Sequence, residues 1–249
     1  MAMIGIDIGG SFIKSGLVSR QGEVLHQLNP QPTLHGAQLT DKVHRLIYEL
    51  ISVVNEEGMA SVEAVGISSC GVVDPETGTV VESVAIPGYD GTQWPLLLEE
   101  LKLPVIVEND GRCAAWAEYQ VRDDQDIRDW VHVPVGTNVG CGVIIGGELF
   151  RGHSFTAGEF GHMTIDINGP VCTCGNIGCL EIYLTKGSVL GYVQQAIADS
   201  RDTLVAELCG GELEHIDLFM ISHAEAQGDA VAKQAFEQLG FYLGVGLTN

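Results

Sequence analysis

Residues 3–28, MIGIDIGGSFIKSGLVSRQGEVLHQL, carry apolar runs that are separated by glycine-containing turns. Short apolar runs bounded by such turns are typical of strands, and they predict strands at 3–8, 12–18 and 24–28. Helical and strand patterns then alternate: a helix at about 38–57, a strand at 62–68, a glycine-containing loop at 70–78, a short helix at 94–102 and a strand at 104–108. This order predicts an α/β fold with a sheet of mixed direction.

The pattern of the first stretch returns in the second half of the chain. VHVPVGTNVGCGVIIGGELFRG, at 131–152, again predicts a strand at 131–136, a glycine turn, a strand at 140–146, a turn and a strand at 148–152. Two such units suggest a duplicated, two-lobed architecture with lobes at 1–120 and 121–249, in which both glycine turns face one cleft. Two unrelated β-meanders are the alternative. The residues after Glu181 predict helices alone, at about 187–200, 203–209 and 229–247, so we expect the second lobe to lack its last strands.

The charge balance narrows the classes of partner. The chain has 12 Lys and Arg residues against 33 Asp and Glu residues, a formal net charge of −21. Such a surface repels DNA, RNA and anionic lipid, so we expect neither a nucleic-acid partner nor a membrane partner. An anionic small molecule remains compatible with this charge, because backbone N–H groups and a metal ion can hold phosphate.

The start of the chain and its cysteines predict a cytoplasmic protein. Residues 1–7 lack the basic segment of a signal peptide, and no apolar run approaches the length of a membrane span. Three of the seven cysteines lie within eight residues, and the other four are scattered. This distribution favours a metal site and free thiols in a reducing compartment over a disulfide framework.

Two glycine turns are candidate phosphate sites. In the first, Asp7 precedes Gly9-Gly10-Ser11, whose successive backbone N–H groups can form an anion-binding concavity. Asp7 could hold Mg²⁺ directly or through water. An ordinary hairpin turn is the alternative. The second turn, at 136–142, occupies the equivalent place in the second unit, and the pair suggests a clamp on a polyphosphate.

The segment Glu108-Asn109-Asp110 ends the strand predicted at 104–108 and precedes a helix predicted at 111–120. Ligands of α/β sheets bind at the carboxyl ends of strands, where a carboxylate can accept the proton of a sugar hydroxyl as its oxygen attacks phosphorus. Asp110 is therefore a candidate general base. The alternative is that Asp110 only caps the helix.

The segment 159–181 carries the strongest motif. Three cysteines and one histidine make a closed set that suits structural Zn²⁺ in tetrahedral geometry: His162, Cys172, Cys174 and Cys179. A closed set leaves no coordination position for a substrate, so the zinc would be structural. Imidazole has two nitrogens, so His162 could bind zinc through one and offer the other N–H to a ligand. Coincidental cysteines are the alternative.

Taken together, these motifs resemble those of the ROK family of sugar kinases and repressors, over residues 4–249. DIGGS resembles the family's first phosphate loop, VEND the segment with the catalytic aspartate, GTNVGCGVIIGGELFRG with AGEFGH the family signature, and CTCGNIGCLE the zinc motif. The resemblance implies an α/β, actin-like (ribonuclease H-like) two-lobed ATPase fold. It also implies ATP and Mg²⁺, structural Zn²⁺, and a homodimer in the complete form.

The resemblance assigns roles to individual residues. It implies Asp110 as the base within a set of ligands for the sugar: Gly71, Asn109, Asp110, Glu159, His162 and Glu181. It implies a second set near the phosphates of ATP and its Mg²⁺: Asp7, Gly9, Gly10, Ser11, Thr137 and Gly140. The chain departs from the family at Asn138, where Gly is usual, and at Ala85, where a sugar-binding Asn is frequent. Family members also continue past the position of Asn249, so we expect this chain to be truncated.

The implied activity is ATP-dependent phosphorylation of the 6-hydroxyl of a hexose or an N-acylhexosamine. GISSCGVVDPETG, with ENDGRCAAWAE and GPVCTCG, is most similar to N-acetylmannosamine kinases; a glucokinase or another ROK hexokinase is the alternative. A non-catalytic remnant that binds sugar is a further alternative. A ROK repressor would need a DNA-binding segment ahead of the first strand, which begins at residue 3, and a less acidic charge.

Overall fold

The computed structural model describes residues 2–56, 58, 61–122, 124 and 126–249. Contacts divide the chain into two compact units. Unit 1 comprises Met1–His132 and Gly142–Gly158, and unit 2 comprises Val133–Cys141 and Glu159–Asn249. This division by contacts does not test where one lobe ends and the other begins. The lobe boundary expected at residue 120 stays a prediction, and so does the expected lack of strands in the second lobe.

Unit 1 holds the strands and the first helices. Its described elements, in chain order, are β1 (Ala2–Ile8), β2 (Phe12–Ser19), β3 (Val24–Gln27), β4 (Gln31–Pro32), α1 (Ala37–Glu56), β5 (Val62–Ser69), β6 (Val72–Asp74), β7 (Thr79–Glu82), α2 (Trp94–Leu97), a 3₁₀ turn (Glu99–Leu101), β8 (Val105–Asn109), α3 (Asp110–Val121), β9 (Trp130–His132), β10 (Gly142–Ile145) and β11 (Glu148–Leu149). The first five predicted strands match β1, β2, β3, β5 and β8 to within one residue at each end. The helix predicted at 38–57 is α1, apart from Glu57, which lies outside the described residues.

The main sheet has the order β3-β2-β1-β5-β8, with β4 beside β2. β1 pairs antiparallel with β2 and parallel with β5, and β5 pairs parallel with β8. The predicted sheet of mixed direction is therefore confirmed. Because β1, β5 and β8 run in one direction, their carboxyl ends share one edge of the sheet, where α/β proteins place ligands.

Buried and partly exposed residues alternate along β1, and Ile4, Ile6 and Ile8 on one face of the sheet are fully or almost fully buried. α1 packs into the same core with residues at helical spacing: Leu39, Val43, Leu46, Ile47, Leu50 and Val54. Burial of each such side chain stabilises the fold by about 1.5–3 kcal/mol. The core therefore fixes the strands whose ends carry the candidate residues.

Two predictions about unit 1 are wrong in detail. The segment 70–78, predicted as a loop, contains β6, which forms a hairpin with β7. The strands predicted at 131–136, 140–146 and 148–152 shorten to β9, β10 and β11, which form an antiparallel sheet of their own. The loop 133–141, between β9 and β10, is grouped by its contacts with the residues of unit 2.

Unit 2 is largely helical. Its described elements are a 3₁₀ turn (Phe160–His162), α4 (Glu181–Leu184), α5 (Lys186–Ala198), α6 (Leu204–Leu208), a 3₁₀ turn (Leu213–His215), α7 (Leu218–Ala226) and α8 (Ala230–Thr248). The helices predicted at 187–200, 203–209 and 229–247 are α5, α6 and α8, and α7 was missed because its apolar residues form no stripe. Asp229 caps α8 and also joins it to α6, since its carboxylate accepts from the Ala232 N–H at 2.8 Å and the Leu204 N–H at 2.7 Å.

Candidate functional site

The carboxyl ends of β1, β5 and β8 bring together the candidate residues of unit 1. Asp7 pairs with Ser68 between β1 and β5, and Ser69 pairs with Asn109 between β5 and β8. Ser68 Oγ donates a hydrogen bond of 2.8 Å to Asp7 Oδ1, and Lys14 Nζ lies 3.4 Å from Asp7 Oδ2. The Asp7 side chain is 40% exposed, so it is accessible to water or to a cation.

The junction between β8 and α3 holds Asp110. Asn109 is the N-cap of α3, because its Oδ1 accepts a hydrogen bond of 3.1 Å from the Arg112 N–H. Asn109 Nδ2 donates to Asp110 Oδ1 at 3.1 Å, and the Gly111 N–H donates to the same oxygen at 2.8 Å. The N-cap is Asn109 and not Asp110, although Asp110 also accepts from the Gly111 N–H in the first turn of the helix.

Gly71 lies beside this junction, where its carbonyl accepts a hydrogen bond of 3.0 Å from Asn109 Nδ2. Its φ of +95° falls in the left-handed region, and a Cβ atom at this position would overlap the Glu82 carbonyl. Both facts require glycine here. Unit 1 thus brings Gly71, Asn109 and Asp110 together, and their contacts with a sugar stay a prediction.

The first glycine turn is a closed hairpin. The Gly9 N–H donates to the Phe12 carbonyl at 3.1 Å, so this amide is committed to the turn. A Cβ atom at Gly10 would lie 3.3 Å from the Cβ atom of Ala85, which places Ala85 directly beside the turn. The phosphate roles of Gly9, Gly10 and Ser11 stay predictions.

The second glycine loop is fixed by Glu181. Glu181 Oε2 accepts a hydrogen bond of 2.9 Å from the Val139 N–H, and the Gly140 N–H donates to the Pro134 carbonyl at 3.1 Å. One oxygen of Glu181 therefore holds the backbone of the loop. The roles of Thr137 and Gly140 near phosphate stay predictions.

Glu159 and His162 lie at a short turn next to this loop. His162 Nε2 is 3.9 Å from Glu159 Oε2. The glycine between them permits a close approach, because a Cβ atom at Gly161 would lie 2.8 Å from the Val139 carbonyl and 3.4 Å from the Cβ atom of Glu181. Unit 2 thus brings Glu159, His162 and Glu181 together.

His162 also belongs to the predicted metal site. The ligand atoms of His162, Cys172, Cys174 and Cys179 all lie within 4.8 Å of one another. Cys172 Sγ is 3.8 Å from His162 Nδ1, and Cys174 Sγ is 3.7 Å from Cys179 Sγ. Ligands of tetrahedral Zn²⁺ with bonds of about 2.3 Å lie roughly 3.8 Å apart. The cluster fits zinc bound through Nδ1, with Nε2 facing Glu159.

The pKa of one thiol in this cluster, that of Cys172, differs in direction from the pKa values of the buried Cys70 and Cys113. Burial raises the pKa of Cys70 to about 11 and that of Cys113 to about 12, so both are neutral thiols at pH 7. Burial also acts on Cys172, but hydrogen bonds from Cys174 and its other neighbours outweigh it and lower the Cys172 pKa to about 7. Burial and the neighbouring thiols raise the pKa of Cys179 to about 12. A bound cation would let the neighbouring thiols ionise together.

The hairpin that carries the cysteines permits a matched glycine test. Gly175 and Gly178 both have positive φ, at +87° and +65°. A Cβ atom at Gly178 would overlap the Asp166 carbonyl, whereas nothing lies within 4 Å of one at Gly175. We expect Gly175→Ala to lower the free energy of unfolding by about 1–2 kcal/mol, the cost of the left-handed conformation. Gly178→Ala should cost at least about twice as much, because the backbone must also move.

Chemical denaturation of both variants, with zinc content measured on the folded protein, checks this prediction. Equal destabilisation by the two alanines would show that the contact between residues 166 and 178 does not shape the hairpin.

A buried ion-pair cluster adjoins Asp110 and was missed from the sequence. Glu108 accepts hydrogen bonds from Arg112 Nε at 2.8 Å and from Arg151 Nε at 2.7 Å. Among the residues that the structure describes, Glu108 and Arg112 are the buried side chains with a full charge. The available signal is a glutamate at the end of the apolar run PVIVE with an arginine four residues later.

The model of the ROK family matches residues 3–249. The chain belongs to the ROK family. The resemblance carried by the motifs is therefore confirmed. A glucokinase of Streptomyces coelicolor is 35% identical over 254 residues, which cover 99% of this chain and 76% of that protein. An N-acetylmannosamine kinase of Shigella boydii is 34% identical over 239 residues, which cover 94% of this chain and 73% of that protein. These relatives support sugar kinase activity in general terms.

A solved structure supports the fold. The crystal structure of a ROK family glucokinase from Streptomyces griseus, in complex with glucose and AMPPNP, matches with a TM-score of 0.83 at 34% identity. The match covers 99% of this chain and 78% of that chain. ROK sugar kinases have the actin-like ATPase fold, and this chain shares it, as predicted.

ROK relatives include repressors as well as kinases. A xylose repressor of Bacillus subtilis is 30% identical, and the match covers 99% of this chain and 60% of the repressor. Family membership alone therefore does not separate a kinase from a repressor. Within the described part of the chain, no helix is both long enough and apolar enough to cross a membrane. The cytoplasmic location, the homodimer and the exclusion of nucleic acid stay predictions.

Proposed function

We propose that this chain is an ATP-dependent kinase for the 6-hydroxyl of a hexose or N-acylhexosamine, with N-acetylmannosamine as the first candidate substrate. The observation that carries the proposal is the Asp110 carboxylate at the carboxyl end of β8. Its Oδ1 is held by Asn109 Nδ2 and the Gly111 N–H, and the N-cap of the following helix is Asn109. The kinase relatives support the reaction class.

Asp110 would act as the general base. As O6 of the sugar forms a bond to the γ-phosphorus of ATP, the bond from that phosphorus to the ADP oxygen breaks, and the O6 proton passes to Asp110. Hydrogen bonds to the other sugar hydroxyls would fix O6 in line with the phosphoryl group. The residues proposed for this task are Gly71, Asn109, Glu159, His162 and Glu181.

The first glycine turn and Asp7 would serve the nucleotide. When bound, Mg²⁺ neutralises negative charge on the phosphates of ATP. Asp7 would hold that ion directly or through water, since its carboxylate is partly exposed at the edge where β1 ends. Gly9, Gly10, Ser11, Thr137 and Gly140 would lie near the phosphates, with the Gly9 amide supporting the turn instead of the ligand.

Glucose is the second candidate substrate. The glucokinase relative matches 99% of this chain, and the N-acetylmannosamine kinase relative matches 94% at nearly the same identity. Ala85 beside Gly10 is the departure from the family that bears on this choice, because a sugar-binding Asn is frequent there.

ADP release measured over a sugar panel tests the proposal. The panel contains N-acetylmannosamine, glucose, 6-deoxyglucose and xylose, of which the last two lack the proposed acceptor hydroxyl. The proposal expects sugar-dependent ADP release with N-acetylmannosamine or glucose and none with the two controls. Equal release with 6-deoxyglucose would refute the 6-hydroxyl as acceptor. Binding of sugars without turnover by any of them would support the non-catalytic alternative.

A further inference from the structure

Glu108 joins three segments of unit 1 at one carboxylate. Its Oε1 accepts hydrogen bonds from the Asn109 N–H at 2.9 Å and from Arg112 Nε at 2.8 Å. Its Oε2 accepts one from Arg151 Nε at 2.7 Å. The carboxylate therefore links the end of β8, the first turn of α3 and the segment that follows β11.

Burial makes this cluster costly. Arg112 is 2% exposed and Glu108 is 8% exposed. Desolvation of buried charges often outweighs their attraction, so a buried ion pair is a weak source of stability. A better explanation for the buried cluster is that it specifies a local conformation. Here that conformation is the one of the peptide that carries Asn109 and Asp110.

Arg112 extends the cluster to an unusual turn. Its Nη1 donates to the Phe155 carbonyl at 3.0 Å. Phe155 has a φ of +58°, in the left-handed region that residues other than glycine rarely adopt. Arg112 and Arg151 thus hold the two ends of segment 151–155 against β8 and α3.

We propose that Arg151 is a positioning residue that acts on Asp110 through Glu108. Arg151 fixes Oε2 of Glu108, Oε1 fixes the Asn109 N–H, and the Asn109 side chain fixes Asp110 Oδ1. Glu108 is not itself a base, because both of its oxygens accept from guanidinium groups. The inference rests on the proposed function, since it takes Asp110 as the base.

Arg151→Met tests this inference without removing a buried charge, because Arg112 still pairs with Glu108 and the Arg151 side chain is 37% exposed. Arg20→Met is the matched control, since Arg20 donates to both oxygens of Glu63 at 2.8 Å on the surface of the same unit. We expect Arg151→Met to lower kcat about tenfold or more, as misplaced catalytic groups do, with the sugar Kd changed by less than about threefold. Arg151→Lys should restore part of the kcat, because its ammonium can still reach Glu108 as a cation.

Amide hydrogen exchange supplies a measurement that does not depend on turnover. Exchange at Asn109, Gly111 and Arg112 should be faster in Arg151→Met than in Arg20→Met. Equal exchange at these amides would overturn the inference, whether or not the chain is a kinase. In an active enzyme, an unchanged kcat or a loss that Arg151→Lys does not reduce would overturn it as well. If the unaltered chain phosphorylates no sugar, the proposed function fails, and the exchange comparison still decides whether Arg151 holds the junction.

Discussion

Asp110→Asn is expected to abolish most of the turnover while sugar binding survives. The amide keeps an oxygen that can accept from the Gly111 N–H and Asn109 Nδ2, so the junction should fold as before. It cannot take up the O6 proton, and a general base contributes about 10²–10⁴-fold to the rate. We expect kcat to fall by that factor, with the sugar Kd changed by less than about threefold.

Steady-state kinetics and calorimetric titration of sugar into the variant provide the measurement. Asp41→Asn is the control, because Asp41 is an exposed carboxylate on α1 whose contact with Arg45 runs through its backbone carbonyl. This control should keep its kcat. A variant of Asp110 that retains more than about a tenth of the kcat would show that Asp110 is not the base.

The main sheet could be predicted from the sequence because its signals are local. Each apolar run in β1, β2 and β5 ends at a short turn, and α1 shows a regular stripe of leucine, isoleucine and valine. The hairpin β6–β7 was missed because its strands have three and four residues, too few to show an alternating pattern. α7 was missed for the related reason that its apolar residues do not favour one face.

The candidate site likewise has parts that could be predicted from the sequence and parts that could not. Asn109 and Asp110 are adjacent, and the cysteines of the candidate zinc site lie within eight residues, so each group is visible as a motif. The second partner of Glu108 is not visible, because Arg151 is 43 residues away and meets it only in the folded chain. The need for glycine at position 71 likewise depends on the Glu82 carbonyl across a hairpin that the sequence did not predict.

Cys174→Ser is expected to remove zinc and destabilise unit 2. Structural zinc supplies about 10–16 kcal/mol in isolated finger peptides, so loss of one of four ligands should cost several kcal/mol. That loss is a large part of the ~5–15 kcal/mol that keeps a whole domain folded. Metal analysis after gel filtration and thermal unfolding measure the two effects. If the wild-type protein keeps the same stability with and without zinc, the assignment of the site is wrong.

Cys209→Ser separates the loss of zinc from the loss of a thiol. Cys209 is a buried free cysteine of the same unit, and a hydroxyl can replace its hydrogen bond of 3.5 Å to the Ala206 carbonyl. This variant should keep one zinc per chain. In Cys174→Ser, by contrast, we expect the sugar Kd to rise together with the loss of metal, because zinc bound on Nδ1 of His162 would keep Nε2 turned toward Glu159. If sugar affinity is unchanged when zinc is lost, His162 does not contact the sugar through the nitrogen that the metal orients.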